Sequence, residues 1–312
     1  MIPALSSGVQ IPPVVLGCGN FGGIGSAPAF FGKGETKEQA FALMDSAWEL
    51  GLDWFDTADA YGGGRSEAWI GEWIAATGNR PRITTKTFNP MDDGADSGLA
   101  PERIRRQVDS SLGRLGIDAV DLYLAHEPDF TTPIGETLGA FEELVTAGKI
   151  NAYGLSNFGA EDLWHALAAG SPGLVQNSFS LLHRWDETGV IPICEARGVA
   201  YQVFGPLAGG WLTGKYRQGA PLPEGSRMTM RPEPYERFDT EPVYRSLDAL
   251  ESAATARGVS MAGLALAWLL SHPGVTSIVV GPRTAQHLEP VREALAAGLS
   301  PQEHEEVGSL FT

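Results

Sequence analysis

The chain has 312 residues, and 22 Lys and Arg against 38 Asp and Glu leave a net charge of −16. That length suffices for a sizeable core. An acidic balance without a basic run excludes nucleic acid and an anionic membrane surface as partners, since both demand clustered cations. The longest apolar stretch, roughly Val259 to Leu270, falls far short of the ~20 residues of a membrane-spanning helix.

In chain order, the opening Met1-Ile2-Pro3-Ala4 lacks the basic patch and apolar core of a signal peptide. Only Cys18 and Cys194 occur, too few for a disulfide framework and without metal-ligand spacing. A reducing cytoplasm and a site without metal are the expectations. Short β-branched or aromatic runs then alternate with longer amphipathic segments. Val14–Leu16 is the first run; Thr36 caps a helical segment, Lys37–Leu50, that ends at Gly51. Leu52–Phe55 and Arg82–Thr85 follow, and Pro101 opens Glu102–Leu115, closed by Gly116. Ala119–Leu124 precedes a helix bracketed by Pro133 and Gly148, and Asn151–Leu155 one bracketed by Gly159 and Gly170. Gly173–Gln176, helix Thr188–Arg197 and Val199–Phe204 come next. Helices Pro242–Arg257 and Ala262–Ser271, strand Thr276–Val280 and helix Ala285–Ala297 complete the series.

Eight candidate strands alternating with helices argue for βαβ units and a parallel sheet. In about 300 residues they fit a (β/α)₈ TIM barrel, an α/β fold, better than an open sheet. No composition shift marks a boundary, so one domain over residues 1–312 is expected. The Gly- and Pro-rich stretch from Gly205 to Thr240 is too long for an ordinary connection and reads as a lid or binding loop.

Three motifs invite other readings. Gly17-Cys18-Gly19-Asn20-Phe21-Gly22 matches G-x-G-x-x-G, yet Gly23-Ile24-Gly25-Ser26-Ala27-Pro28 cannot begin the helix that a dinucleotide fold places there. Gly209 to Lys215 is one residue short of a P-loop, because Tyr216 stands where a Ser or Thr would hold Mg²⁺. A backbone cradle for another phosphate stays open there. Gly154-Leu155-Ser156-Asn157-Phe158-Gly159 is one residue too long for the nucleophile elbow of hydrolases.

The strand ends carry the chemistry. In a (β/α)₈ barrel they share one rim, which brings together Asp56, Tyr61 five residues on, Lys86 and His126. Singly these are a turn cap, a packed ring, a solvated charge and a core histidine; together they suit proton transfer to a carbonyl oxygen. A phenol with a pKa near ~10 is a reluctant acid unless a cation sits beside it. Lys86 supplies that charge, Asp56 holds Lys86, and His126 donates a hydrogen bond to the same oxygen. With no activated nucleophile and no metal, an external hydride donor completes the set and points to carbonyl reduction with a nicotinamide cofactor.

These residues resemble the aldo-keto reductase superfamily along nearly the whole chain. The motifs are Phe55-Asp56-Thr57-Ala58 with Tyr61-Gly62, Thr85-Lys86, Leu122-Tyr123-Leu124-Ala125-His126, Gly154-Leu155-Ser156-Asn157-Phe158 and Gly205-Pro206-Leu207-Ala208-Gly209-Gly210. The resemblance implies a barrel binding NADPH or NADP⁺ in extended form across the rim, with NADH as the alternative. It implies the tetrad Asp56, Tyr61, Lys86 and His126, with Tyr61 as proton donor. It also implies Ser156 and Asn157 at the nicotinamide carboxamide beside Gln176, and Phe179 near the nicotinamide ring. Asn20 and Phe21 fall in a cofactor-touching first loop. Gly205, Pro206, Leu207 and Gly209 through Lys215 resemble the segment around the pyrophosphate, with Arg227 a basic residue on the same loop.

Gly281-Pro282-Arg283-Thr284 falls at an expected helix start, which favours phosphate, and a guanidinium grips phosphate bidentately. Arg283 is the candidate for the 2′-phosphate. Three positions depart from the family pattern on the last helix, His287, Pro290 and Val291, and His287 is kept as a contact to the 2′-phosphate or adenine. Phe30, Phe31, Phe88, Trp185 and Trp211 are candidate pocket walls, suiting an apolar or ring-bearing carbonyl. The alternative function is a cofactor-binding interaction module like the channel-associated relatives, with little turnover. The surface pattern does not choose an oligomeric state.

Overall fold

A computed structural model describes residues 8–311, so the reading at Met1-Ile2-Pro3-Ala4 lies outside the described residues. The strands are β1 Val14–Gly17, β2 Trp54–Asp56, β3 Arg82–Thr87 and β4 Leu122–Ala125, then β5 Tyr153–Ser156, β6 Leu174–Ser178, β7 Ala200–Phe204 and β8 Ser277–Val280. All neighbours pair in parallel, and β8 returns to β1 with Val14 opposite Ile278, closing the barrel. The expected (β/α)₈ barrel is therefore what the chain builds, each expected strand run overlapping an observed one.

The helices are α1 Lys37–Glu49, α2 Arg65–Thr77, α3 Pro101–Leu115, α4 Ile134–Thr146, α5 Ala160–Ala169 and α6 Val190–Arg197. They continue with α7 Arg227–Met230, α8 Glu241–Arg257, α9 Met261–Ser271, α10 Glu289–Ala297 and α11 Pro301–Gly308. Thr36 caps α1 in a reciprocal box with Gln39, an arrangement that stabilises a helix by about 1 kcal/mol. The expected helix Ala285–Ala297 is divided: residues 285–288 form a 3-10 turn, and α10 begins only at Glu289. No single helix among the described residues is long and apolar enough to cross a membrane.

Strand alternation sorts the side chains into two compartments. Val15, Trp54, Leu122, Leu124, Leu174 and Val279 form an apolar cluster inside the barrel. The intervening residues, among them Phe55, Tyr123, Leu155, Val175 and Val203, join a larger cluster between barrel and helices. Moving two residues along from each inner apolar position reaches Asp56 from Trp54, His126 from Leu124 and Gln176 from Leu174. The same alternation that fills the barrel floor thus lifts polar groups onto its C-terminal rim.

Candidate active site

Four of the rim residues do converge. Lys86, fully buried on β3, donates from Nζ to Asp56 Oδ1 at 2.5 Å and to the Thr57 carbonyl at 2.8 Å. The Tyr61 ring lies with its centroid 5.1 Å from the same Nζ, and its hydroxyl is 3.4 Å from His126 Nε2. Tyr61 is carried by a short turn, Tyr61–Gly64, in which Gly62 and Gly63 have φ of 60° and 68°. A Cβ at Gly62 would stand 2.5 Å from the Phe21 carbonyl. Glycine there lets the turn press against the first loop and fixes where the phenol points.

The electrostatics differ in one respect from the sequence expectation. Burial raises the Tyr61 phenol above its ordinary value, while the Lys86 charge works in the opposite sense. Lys86 thus offsets a desolvation penalty rather than creating a ready phenolate. Burial also works against the charge on Lys86, but Asp56 and Tyr61 outweigh it and hold the ammonium protonated. His126 is pushed well below its ordinary value by burial and then by Lys86, so its ring is neutral. Asn89 Nδ2 lies 3.3 Å from His126 Nδ1. An amide NH₂ only donates, which makes Nδ1 the acceptor and leaves the proton on Nε2, facing Tyr61.

Gln176 stands beside Ser156 and Asn157, opposite Ser156 in the β5–β6 register and accepting from the Asn157 N–H at 3.1 Å, while its side-chain amide joins a different network. Its Nε2 donates to Asp56 Oδ2 at 2.7 Å and to Gln202 Oε1 at 2.8 Å, and Gln202 Nε2 donates to Ser277 Oγ at 3.1 Å. A hydrogen-bonded chain therefore runs from Lys86 through Asp56, Gln176 and Gln202 to Ser277, tying β2 and β3 to β6, β7 and β8. Ser156 and Asn157 are together at the end of β5, with Asn157 Nδ2 bonded to Ser156 Oγ at 3.2 Å and to the His126 carbonyl at 2.9 Å. Asn157 holds φ of 63°, a left-handed conformation asparagine tolerates better than most residues and a form of strain common at functional sites.

Some expected contacts are not brought to the rim. Phe179 is fully buried on the outer side of the barrel, its ring stacked on Trp268 and edge-on to Tyr201 and His272. Phe204, at the end of β7, packs against the inner cluster that contains Trp54. Phe21, in the first loop, has its ring in the outer core. Trp211 is also fully buried, against Tyr216, Phe238 and Tyr244, and is no pocket wall. Phe30, Phe31 and Phe88 are half-buried, and Trp185 is exposed.

Around the long loop after β7, basic side chains gather. Gly205, Gly209, Gly210 and Gly214 all have positive φ, and Pro206 and Leu207 lead into this compact turn. Lys215 sits over the Tyr216 ring, and its ammonium is pulled down by burial and by Arg283 and Arg227. Arg227 donates to Asn20 Oδ1 in the first loop. Past Gly281, Arg283 donates from Nε to Glu35 Oε1 at 2.7 Å and from Nη1 to the Gly225 carbonyl at 2.5 Å. The expected helix N-terminus is not free there, since the Arg283 backbone N–H already donates to His287 Nδ1 at 3.1 Å.

Sequence reasoning missed Asn89, Gln202, Ser277 and Glu35. Gln202 and Ser277 had a signal, being polar residues at inner positions of otherwise apolar strands. Asn89 and Glu35 had none, because the loops that carry them acquire their partners only through the tertiary fold.

A sequence profile described as the aldo/keto reductase family matches residues 13–311. Similar curated proteins include the fission yeast (Schizosaccharomyces pombe) aldo-keto reductase yakc [NADP(+)], 34% identical over 86% of this chain and 81% of its own. Another is an Escherichia coli NADH-specific methylglyoxal reductase, 32% identical over 88% of this chain and 86% of its own. Among solved structures, the glycerol dehydrogenase of Gluconobacter oxydans superposes with a TM-score of 0.84 at 26% identity, covering 99% of this chain and 94% of that one.

Proposed function

The chain belongs to the aldo/keto reductase family, and on that premise we propose that it reduces an aldehyde or ketone to an alcohol, or runs the reverse, with NADPH as cofactor and NADH as the alternative. The observation that carries the reading is the buried Lys86–Asp56 pair beneath a phenol that also meets a neutral histidine. The residues present fit a dinucleotide: left-handed glycines form a cradle after β7, and Lys215, Arg227 and Arg283 supply the charge phosphates need.

The reduced nicotinamide supplies the hydride. The protein's part is to hold the carbonyl oxygen between two donors, the Tyr61 hydroxyl and the Nε2–H of His126. As negative charge develops on that oxygen, Tyr61 gives up its proton. The Lys86 charge then stabilises the phenolate, and Asp56 keeps Lys86 in place. His126, being neutral, orients the oxygen without competing as an acid. Ser156 and Asn157 are our candidates for the nicotinamide carboxamide, and Arg283 for the 2′-phosphate. The half-buried Phe30 and Phe31 on the first loop support an apolar or ring-bearing carbonyl.

The test is a fluorescence titration with NADPH and NADH, followed by addition of a reactive aromatic aldehyde while loss of reduced cofactor is recorded. We expect binding and turnover in the wild type. Tyr61→Phe should retain NADPH binding within about twofold and lose about 10²-fold or more in turnover. Near-normal turnover by that variant would remove Tyr61 as proton donor, and binding without turnover would favour an interaction module.

A further inference from the structure

We propose that Glu35 sets the discrimination between NADPH and NADH by compensating the charge of Arg283 where a 2′-phosphate would be read. The inference rests on the nicotinamide-cofactor reading above and adds a residue that neither the motifs nor the tetrad contain. Glu35 lies on the loop between β1 and α1, immediately before the cap Thr36, and its side chain is only 2% exposed. Arg283 arrives from the far end of the chain, just past β8, and the two meet at 2.7 Å.

This carboxylate is built in place rather than resting on a surface. The Glu35 backbone N–H donates to the Asn20 carbonyl at 2.8 Å, and the Glu35 carbonyl accepts from Gly22 N–H at 3.1 Å. The backbone that carries the carboxylate is held on both sides, and the side chain it presents is buried. Its second oxygen, Oε2, is buried with no hydrogen-bond partner among the described residues. One carboxylate oxygen thus neutralises Arg283 and the other is a buried acceptor without a donor.

The chemistry of the two cofactors makes this pair decisive. A carboxylate suits a ribose 2′-hydroxyl, which can donate to it, and repels a 2′-phosphate; an arginine favours the phosphate. Here the opposing elements are joined. The single N–H on Arg283 Nε is already given to Glu35, and one Nη1–H to Gly225. A 2′-phosphate must be gripped by what is left of the fork, whose positive charge the Glu35 carboxylate largely cancels. NADH carries no 2′-phosphate and loses nothing by that cancellation. Wild-type protein therefore accepts both cofactors with less preference than Arg283 alone would impose.

The experiment measures dissociation constants of NADPH and NADH by fluorescence for wild type, Glu35→Gln, Arg283→Ala and the double variant. Glutamine keeps the shape and can still accept from Arg283 Nε, so only the charge is removed. Glu35→Gln should tighten NADPH about tenfold while NADH moves less than about twofold. In the Arg283→Ala background the same change should leave the ratio of the two constants within about twofold. Glu35→Asp, which keeps the charge, should retain the wild-type ratio and covers the case in which the glutamine variant does not fold. An unmoved ratio in Glu35→Gln, or an equal shift without Arg283, overturns the inference while the cofactor reading stands. Failure of folded wild type to bind either cofactor overturns both.

Discussion

Tyr61 and His126 meet at one point of the rim, and their protonation is governed by neighbours rather than by their own chemistry. His126 is held neutral by burial and by Lys86, so it stays uncharged through the range where an ordinary imidazole titrates. Carbonyl reduction should accordingly show no limb near pH 6.5 between about pH 6 and 8; a limb there that vanishes in His126→Asn would contradict this. The stability sign follows from the same depression. The folded imidazole binds fewer protons than the unfolded one, so its contribution is fully present above about pH 6.5 and is lost as pH falls below that value. Asn89 makes a second residue-scale prediction, because its amide forces the proton onto His126 Nε2. In Asn89→Leu the ring nitrogens should show mixed tautomers by ¹⁵N NMR, and turnover should fall about tenfold with cofactor binding little changed. An unaltered tautomer signature would mean that Asn89 does not orient the ring.

At the scale of elements, the wall between β3 and helices α2 and α3 is polar where a barrel exterior is usually apolar. Thr85 donates to buried Glu67 at 2.6 Å, Thr87 donates to Asp59 at 2.7 Å, and Arg103 donates to Thr87 at 2.8 Å. Asp59 is raised to about 7, first by burial and then by the nearby Glu67 charge. Folded protein therefore holds that proton to higher pH than the unfolded chain, and stability is lost as pH rises from about 4 to about 7. Asp59→Asn should remove this loss, raising the melting temperature at pH 8 more than at pH 4. Identical pH dependence in both proteins would refute it. This wall also marks where the sequence was hard to read. Helix α2 was missed because its buried face begins with Ser66 and Glu67 and because three glycines precede it, although Ile70, Trp73 and Ile74 carried a helical spacing. The strands were legible because turn glycines and prolines punctuate them. The convergence of Asp56, Tyr61, Lys86 and His126 was legible because strand ends fix a rim. Phe179 was misplaced for the opposite reason: it lies just past β6, where strand alternation no longer says which way a side chain turns.

Across the whole molecule, charge is distributed unevenly. A chain of net charge −16 nevertheless gathers Lys215, Arg227 and Arg283 near one another, which makes the local field there less negative than the global charge implies. The other molecular feature is the seam where β8 pairs with β1. Val14 cannot find Ile278 until nearly the whole polypeptide exists, so this contact between the first and last strands is also the one that removes the last open sheet edges. A protein ending at Ser271 should therefore show no cooperative thermal transition, and a separately expressed segment spanning 272–312 should restore one on mixing. A sharp transition in the shortened protein alone would show that seven strands suffice. During synthesis the same seam imposes an order of events. For as long as the ribosome has not released β8, the strands already made cannot close on one another, and the nascent chain must be shielded from its neighbours until its last strand emerges.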